Sequence, residues 1–342
     1  IFNRHAGLVN VCGKAIDTHL LPLIAERLHL DHWQHFSLTS LRRNTMAYAT
    51  FQKMVDSLTG DSEQHRAAID FLRSFFLGNF DEFVPVPQID QHLAEYLAAQ
   101  GVLYPDQIED VTKFKMSSPL VDSIIRQRVI PILYPSCPNT ASPKKGGKTG
   151  ADLDVLETLK ESLKFFDKEL IQWAPSRSYK KSTVRVDGCI GQKIPRESIY
   201  DSELMRILTN WLANQERYEI TGQWHLQELD SARYSDIVIK KSGDPMVVLE
   251  LLATGDKSFI KSHIDKTPVY KHLLSAQEAW VVHFTREDNY LQSENVYWQS
   301  DELLNKGIYM VHFWHNRDFT EVWMSARWKD GTLKRVDNER VI

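Results

Sequence analysis

The chain of 342 residues holds 42% hydrophobic residues at a formal net charge of -4, enough for about two domains with their own cores and too acidic for a polyanion-coating surface, so any contact with nucleic acid has to come from local basic patches. No apolar run reaches membrane-spanning length and no signal-peptide pattern opens the sequence, because Arg4 and His5 interrupt its only short apolar start. Cys12, Cys137 and Cys189 are odd in number and far apart, which argues against a disulfide framework or a cysteine-rich zinc site.

The first 135 residues read as helical. Residues 15–29 carry Ile16, Leu20, Leu23, Ile24 and Leu28 at helical spacing, and 46–58 repeat the pattern with Met46, Phe51, Val55 and Leu58. Residues 62–77 are a third helix. After Pro85 and Pro87 a fourth follows over 89–99, with Gly101 placed to close it. Short strands are expected at 102–104 and 113–115, and Ser118-Pro119 opens a helix ending near Ile130. Helix, hairpin, helix is the outline of a winged-helix module. Its candidate recognition helix, 89–99, has no Lys or Arg and carries Asp90 and Glu95, so it reads as a packing or protein-interaction element.

Residues 136–150 are rich in Gly, Pro and Ser with Lys144, Lys145 and Lys148, and read as a flexible linker. The GGKT within it is no phosphate-binding loop, because Ser142 stands where the first glycine is required and no strand precedes it. Residues 152–171 present Leu156, Leu159, Leu163, Phe166 and Leu170 as one amphipathic helix. The stretch 177–196 is the most concentrated positive segment: Arg177, Lys180, Lys181, Arg185, Lys193 and Arg196 against Asp187. It is either a solvated loop or a phosphate track.

In the helix 199–214, Ile199, Glu203, Ile207 and Trp211 fall four apart, which places Glu203 in the buried stripe. The stretch 234–252 reads as two apolar strands, 234–240 and 246–252, around a Ser-Gly-Asp-Pro turn, each with one acid inside it, Asp236 and Glu250. A carboxylate inside an apolar strand is costly unless paired, protonated or holding a cation, so two on adjacent strands point to a metal site. The alternative, both acids at strand ends facing water, stays open at this stage. Further strands are expected at 280–284, 308–314 and 320–328, giving an α/β order. His283, His312 and His315 read as structural, with no zinc-site spacing.

The order helix-Glu, strand-Asp, hairpin, strand-Glu resembles the PD-(D/E)XK, restriction-endonuclease-like nuclease core. The strings PRESIYDSELMRILTNWL, TGQWHL, YSDIVI, VLELLAT, WVVHFTRED and VHFWHNRDFTEVWMSARW resemble the C-terminal nuclease domain of Crinkler-type effectors of filamentous fungi and oomycetes. AEYLAAQGVLYP and FKMSSPLVDSIIRQRVIPILYPSCP resemble the helical, winged-helix region that in such proteins follows an AAA-type NTPase domain.

The resemblance implies a mostly helical winged-helix domain over 1–135, the linker 136–150, and over 151–342 a mixed sheet flanked by helices. It implies a Mg²⁺- or Mn²⁺-dependent endonuclease, with DNA ahead of RNA as substrate, secreted and acting in the host nucleus, with a host protein as a further partner and an upstream NTPase domain outside a chain that starts at Ile1. It assigns Glu203, Asp236 and Glu250 as metal ligands, since hard Mg²⁺ prefers oxygen donors. The motif lysine, two residues after the glutamate, is here Leu252. Its stand-ins on the following helix are His263 first, as a base near neutrality, then Lys266 and Lys271. A nuclease fold that has lost activity and only binds nucleic acid or protein is the alternative.

Overall fold

The structure is a computed structural model that describes residues 6–24, 27–29, 32–33, 36, 48–80, 82–108, 110–145, 153–228, 231–241, 246–292 and 296–342, apart from the side chains of 6–8 and 223–235. By its internal contacts the chain divides into two units, 1–134 with 223–234 and 135–222 with 235–342. Its architecture is mixed α/β.

In the first unit, α1 (Ala6–Ala15) continues into short turns that end at Leu23, and Ile24 is extended. The helix expected over 15–29 therefore starts earlier and stops sooner, because Pro22 lacks the N–H a continuing helix needs. Next come α2 (Ala49–Leu58) and α3 (Glu63–Phe75), the latter capped where Ser62 accepts the His65 N–H. The helix α4 (Gln91–Ala99) is closed by Gly101 at φ +76°, with Val102 N–H returning to the Leu97 carbonyl. Strands β1 (Val84–Pro85), β2 (Leu103–Ile108) and β3 (Val111–Met116) form an antiparallel sheet ordered β1-β3-β2. Ser118 accepts the Val121 N–H to start α5 (Pro119–Ile124), and the helical path runs on to Leu133. Leu58, Ile69, Phe76, Leu97, Val102, Phe114 and Ile124 close this core.

The second unit begins with residues expected to form a linker. Residues 136–145 are instead held against helical residues: Arg206 donates to the Ser136 carbonyl, Trp211 Nε1 to the Thr140 carbonyl, and Ser142 and Lys144 bond the Glu216 carboxylate. Residues 146–150 lie outside those described. The single helix expected over 152–171 is two, α6 (Val155–Leu163) and α7 (Lys168–Arg177). They share one apolar stripe, so the spacing alone could not divide them. What divides them is Asp167, which caps α7 by accepting the Leu170 N–H, and Phe166, which turns in to stack on Phe319. The helix α8 (Glu197–Leu208) continues to Glu216.

Seven strands follow in the order β10-β9-β8-β7-β6-β5-β4: β4 (Glu219–Glu228), β5 (Ser231–Lys240), β6 (Val247–Ala253), β7 (Glu278–Thr285), β8 (Ile308–His315), β9 (Val322–Asp330) and β10 (Thr332–Arg340). The centre β6-β7-β8 is parallel, and the β5-β6, β8-β9 and β9-β10 pairs are antiparallel. The crossover from β6 to β7 is α9 (Lys257–Leu273), a length parallel strands require. β4 and β10 were not expected from the sequence. β10 is a charged edge with a bulge between Val336 and Glu339, and so lacks an apolar alternation to announce it. Ile237, Leu249, Leu251, Trp280, Val282 and Phe313 pack one core with Leu204, Leu208 and Trp211 of α8.

Candidate active site

Asp236 and Glu250 face one another where β5 and β6 meet. The strand pairing runs Ile239↔Val247, Val238↔Val248, Ile237↔Leu249, so the next step sets Asp236 opposite Glu250. At that step the backbone ladder gives way to a side chain: Asp236 Oδ2 accepts the Leu251 N–H at 2.6 Å. Gly222 of β4 lies close behind. A Cβ there would stand 3.2 Å from the Asp236 carbonyl oxygen, so the glycine lets β4 approach the residue that carries the acid.

Both carboxylates are buried, at 7% and 3% exposure. Like charges opposed across a strand pair repel. Burial, then Glu250, Glu197 and Asp201, push Asp236 well above the usual carboxylate range against the Leu251 N–H that lowers it. Glu250 is pushed well above it by burial, with Lys266 opposing and Asp201 adding. Glu197 is pushed up to about 7 by burial, with Glu250 and Asp201 adding and His263 and Lys180 opposing. The acids gathered here are therefore Asp236, Glu250, Glu197 and Asp201. The last two lie four apart at the start of α8 and share one of its faces.

Glu203 is not among them. It lies two residues beyond Asp201, on another face of α8, where Arg206 holds both its oxygens at 3.1 and 2.8 Å and the Asp167 N–H donates to Oε2 at 2.6 Å. Arg206 in turn donates to the Phe165 and Ser136 carbonyls. Glu203 is buried, as its place in the stripe requires, but as half of an ion pair that pins the α6–α7 corner. Assigning it to the metal set is corrected accordingly, and Glu197 and Asp201 are the helix acids that the sequence reading missed. Their signal was present: two acids at i and i+4 in the first turns of a helix otherwise buried.

Of the expected stand-ins for the lysine, His263 on α9 bonds Glu250 Oε1 through Nδ1 at 2.8 Å. Burial lowers its pKa below the ordinary histidine range, with Glu197 opposing and Lys266 and Lys180 adding to the fall. Lys266 reaches Glu250 electrostatically. Lys271 lies instead beside Gly307, near the start of β8. Leu252, at the motif-lysine position, is fully buried.

His283 and His312 form a buried pair, Nδ1 to Nδ1 at 3.0 Å, and His312 Nε2 meets the Tyr297 carbonyl at 2.9 Å. Because that carbonyl only accepts, His312 Nε2 carries the proton and its Nδ1 receives one from His283. His315 meets the Tyr200 hydroxyl at 2.7 Å. Burial holds His312 and His315 down to about 3 and His283 well below its usual value, so all three are neutral.

Along the basic stretch, Lys181, Arg185 and Lys193 are exposed and Arg177 is half-buried. Arg196 is buried, its guanidinium 5.2 Å from the Tyr179 ring centroid, and departs from the surface phosphate track expected of it. The stretch is folded back on itself by a Lys181–Lys193 bridge, and Asp288 fixes it by accepting from Asp187 and Gly188 N–H. A cleft of about 400 Å³ opens between this stretch and the start of α9, with Lys180, Thr183, Thr254, Asp256 and Phe259 in its walls.

Hard carboxylate oxygens suit Mg²⁺ or Mn²⁺, and Glu250 Oε2 is buried without a hydrogen-bond partner, as an acid awaiting a cation would be. As the side chains stand, no group of three His, Cys, Asp or Glu among the described residues is drawn together to hold a metal ion. Asp236 and Glu250 are the pair that fit as donors.

No family model, curated protein or solved structure matches the chain. Among the described residues no helix is long and apolar enough to cross a membrane.

Proposed function

We propose that the second unit is a restriction-endonuclease-like domain of the Crinkler-type effectors that cleaves phosphodiesters with Mg²⁺ or Mn²⁺, in DNA ahead of RNA. The first unit is its winged-helix partner domain, which offers a host protein a docking surface, and the site of action is the host nucleus after secretion. The observation that carries the enzymatic part is the opposition of two buried acids, Asp236 and Glu250, where Asp201 pushes both upward and Glu197 pushes Asp236. Two buried acids opposed across a strand pair, with more negative charge near them, oppose folding unless a cation, protons or neighbouring bases offset them.

Asp236 and Glu250 would hold the divalent cation. When bound, it supplies Lewis-acid activation of a water and of a phosphoryl oxygen. The remaining work falls to side chains. With Glu250 ionised, the His263 Nδ1–H donates to Oε1, which leaves Nε2 as a lone pair able to take a proton from the attacking water. Lys266 offsets the Glu250 charge, and the exposed bases of the 177–196 stretch attract the phosphate backbone.

The test incubates the full chain with labelled single-stranded DNA, duplex DNA and RNA, with Mg²⁺, Mn²⁺ or EDTA. Metal-dependent cleavage that falls by roughly a hundredfold or more in His263→Ala supports both the reaction and the base, given the usual contribution of a general base. Absence of cleavage with either metal sinks the enzyme reading and leaves the binding module. Leu252, fully buried in the motif-lysine position, is the observation that favours that second reading.

A further inference from the structure

Lys180 differs from its basic neighbours. It is half-buried, and its ammonium stands 4.6 Å from the Phe259 ring centroid. Burial lowers its pKa below the lysine range against the pull of Glu197. The backbone on either side is fixed, since Lys180 N–H donates to Ser178 Oγ and the Lys180 carbonyl accepts the Ile194 N–H. A lysine fixed in this way, held over a ring in the wall of a cleft, is placed to meet an anion that enters there.

The cleft borders the acids through Phe259 in its wall, whose ring centroid stands 4.8 Å from that of His263, the residue that bonds Glu250 Oε1 at 2.8 Å. Thr254 in the wall accepts the Arg286 N–H at its oxygen and so keeps its own proton for a donor role. Asp256 repels anions, but its Oδ1 is engaged by Ser258 Oγ and the Phe259 N–H, and Lys180 and Lys181 bring two positive charges to the same walls. That leaves the Lys180 end as the place for a phosphate.

Size and depth decide what carries that phosphate. A cleft of about 400 Å³ is at the small end of ligand pockets, the scale of one nucleotide. The acids at its border are at most 7% exposed at Asp236 and 3% at Glu250, so a backbone kept on the outside of a duplex stays away from them. A nucleotide drawn out of a strand can enter the cleft as far as Phe259, one ring away from His263 and its Glu250 partner.

We propose that this cleft holds one unpaired nucleotide of a nucleic-acid strand, with its phosphate taken by Lys180 beside the acid cluster. This rests on the nuclease reading for its meaning and deepens it by naming the substrate form, a single strand or an unpaired end.

The experiment measures anisotropy of a labelled single-stranded oligonucleotide and of the matching duplex, on the full chain in EDTA so that nothing is cleaved, over a range of salt. The variants are Lys180→Met, Lys180→Arg and, as a remote exposed base on β10, Lys334→Met. The single strand is expected to bind more tightly than the duplex. Lys180→Met is expected to weaken it about tenfold, as for one lost charge-assisted contact, and to flatten the salt slope by about 0.7. Lys180→Arg should keep most of the affinity, and Lys334→Met should match the parent. Circular dichroism melts confirm folding, and the Arg variant keeps the charge if the Met variant is unstable.

Equal binding by the parent and Lys180→Met, equal loss in Lys334→Met, or no binding by the parent would overturn the subsite. A duplex bound as tightly and with the same dependence on Lys180 would overturn the unpaired nucleotide. Saturable binding of inorganic phosphate at Lys180 without strand binding would mark a free-anion site and overturn the strand. Strand binding that depends on Lys180 but no cleavage with Mg²⁺ would retain the subsite and sink the nuclease reading. Cleavage that is indifferent to Lys180 would do the reverse.

Discussion

Two buried glutamates in this chain have opposite physics. Glu203 has Arg206 at 2.8 and 3.1 Å and a backbone N–H from Asp167, whereas Glu250 has one oxygen on His263 and the other without a hydrogen bond among the described residues. Glu203→Gln leaves the Arg206 charge buried with half its partner gone, and is expected to destabilise the fold by about 3–5 kcal/mol in a denaturant titration. A loss below about 1 kcal/mol would show that Arg206 finds water instead. The same contrast fixes a pH dependence. Acids whose folded pKa is raised hold more protons folded than unfolded, so they destabilise as pH rises from the ordinary carboxylate range through the folded value, which for Glu197 is about 7. The buried histidines act in the other direction, losing stability as pH falls below 6.5 because the unfolded state takes the protons they refuse. The difference between Tm with Mg²⁺ and Tm with EDTA removes the histidines, which are common to both. That difference should grow between about pH 6 and pH 8, because Glu197 loses its proton near 7 and protons held by the raised Asp236 and Glu250 compete with a cation. A difference that is flat or falls over this range would place the cation away from these acids.

At the scale of elements, what was legible depended on how locally each feature is determined. Asp236 and Glu250 stood out because a charge inside an apolar strand has few satisfactory surroundings, and the β5–β6 pairing brings them together. Helical spacing revealed that Glu203 is buried but not what it is buried against, and Arg206 three residues later was the available sign of a partner. Glu197 and Asp201 were passed over because spacing ranks apolar stripes, and these acids point from the start of α8 toward a strand junction that only tertiary structure creates. The corner between α6 and α7 was hidden for the same reason: two helices on one core keep one stripe. Composition misled at 136–145, where Pro and Ser signal a loop but say nothing of whether its backbone is bound. Glu216 binds Ser142 and Lys144 there. Glu216→Ala should release the segment, so limited proteolysis should cut within 136–145 faster in the variant than in the parent. Equal rates would mean that the Arg206 and Trp211 contacts suffice.

Across the whole molecule, the sheet with its parallel centre and the crossover α9 bring acids from α8, β5 and β6 together with bases from α9 and the 177–196 stretch. The reading as a metal-dependent nuclease depends on that convergence being a cation site formed by Asp236 and Glu250 and not by Glu203. Isothermal titration of Mg²⁺ into the full chain, the Asp236→Asn variant and the Glu203→Gln variant tests it most directly, with the heat compared in two buffers to count protons released. A saturable site with proton release is expected in the parent, retained in whatever fraction of Glu203→Gln is folded, and abolished in Asp236→Asn. A site that survives Asp236→Asn unchanged, or one that disappears in folded Glu203→Gln, would contradict it.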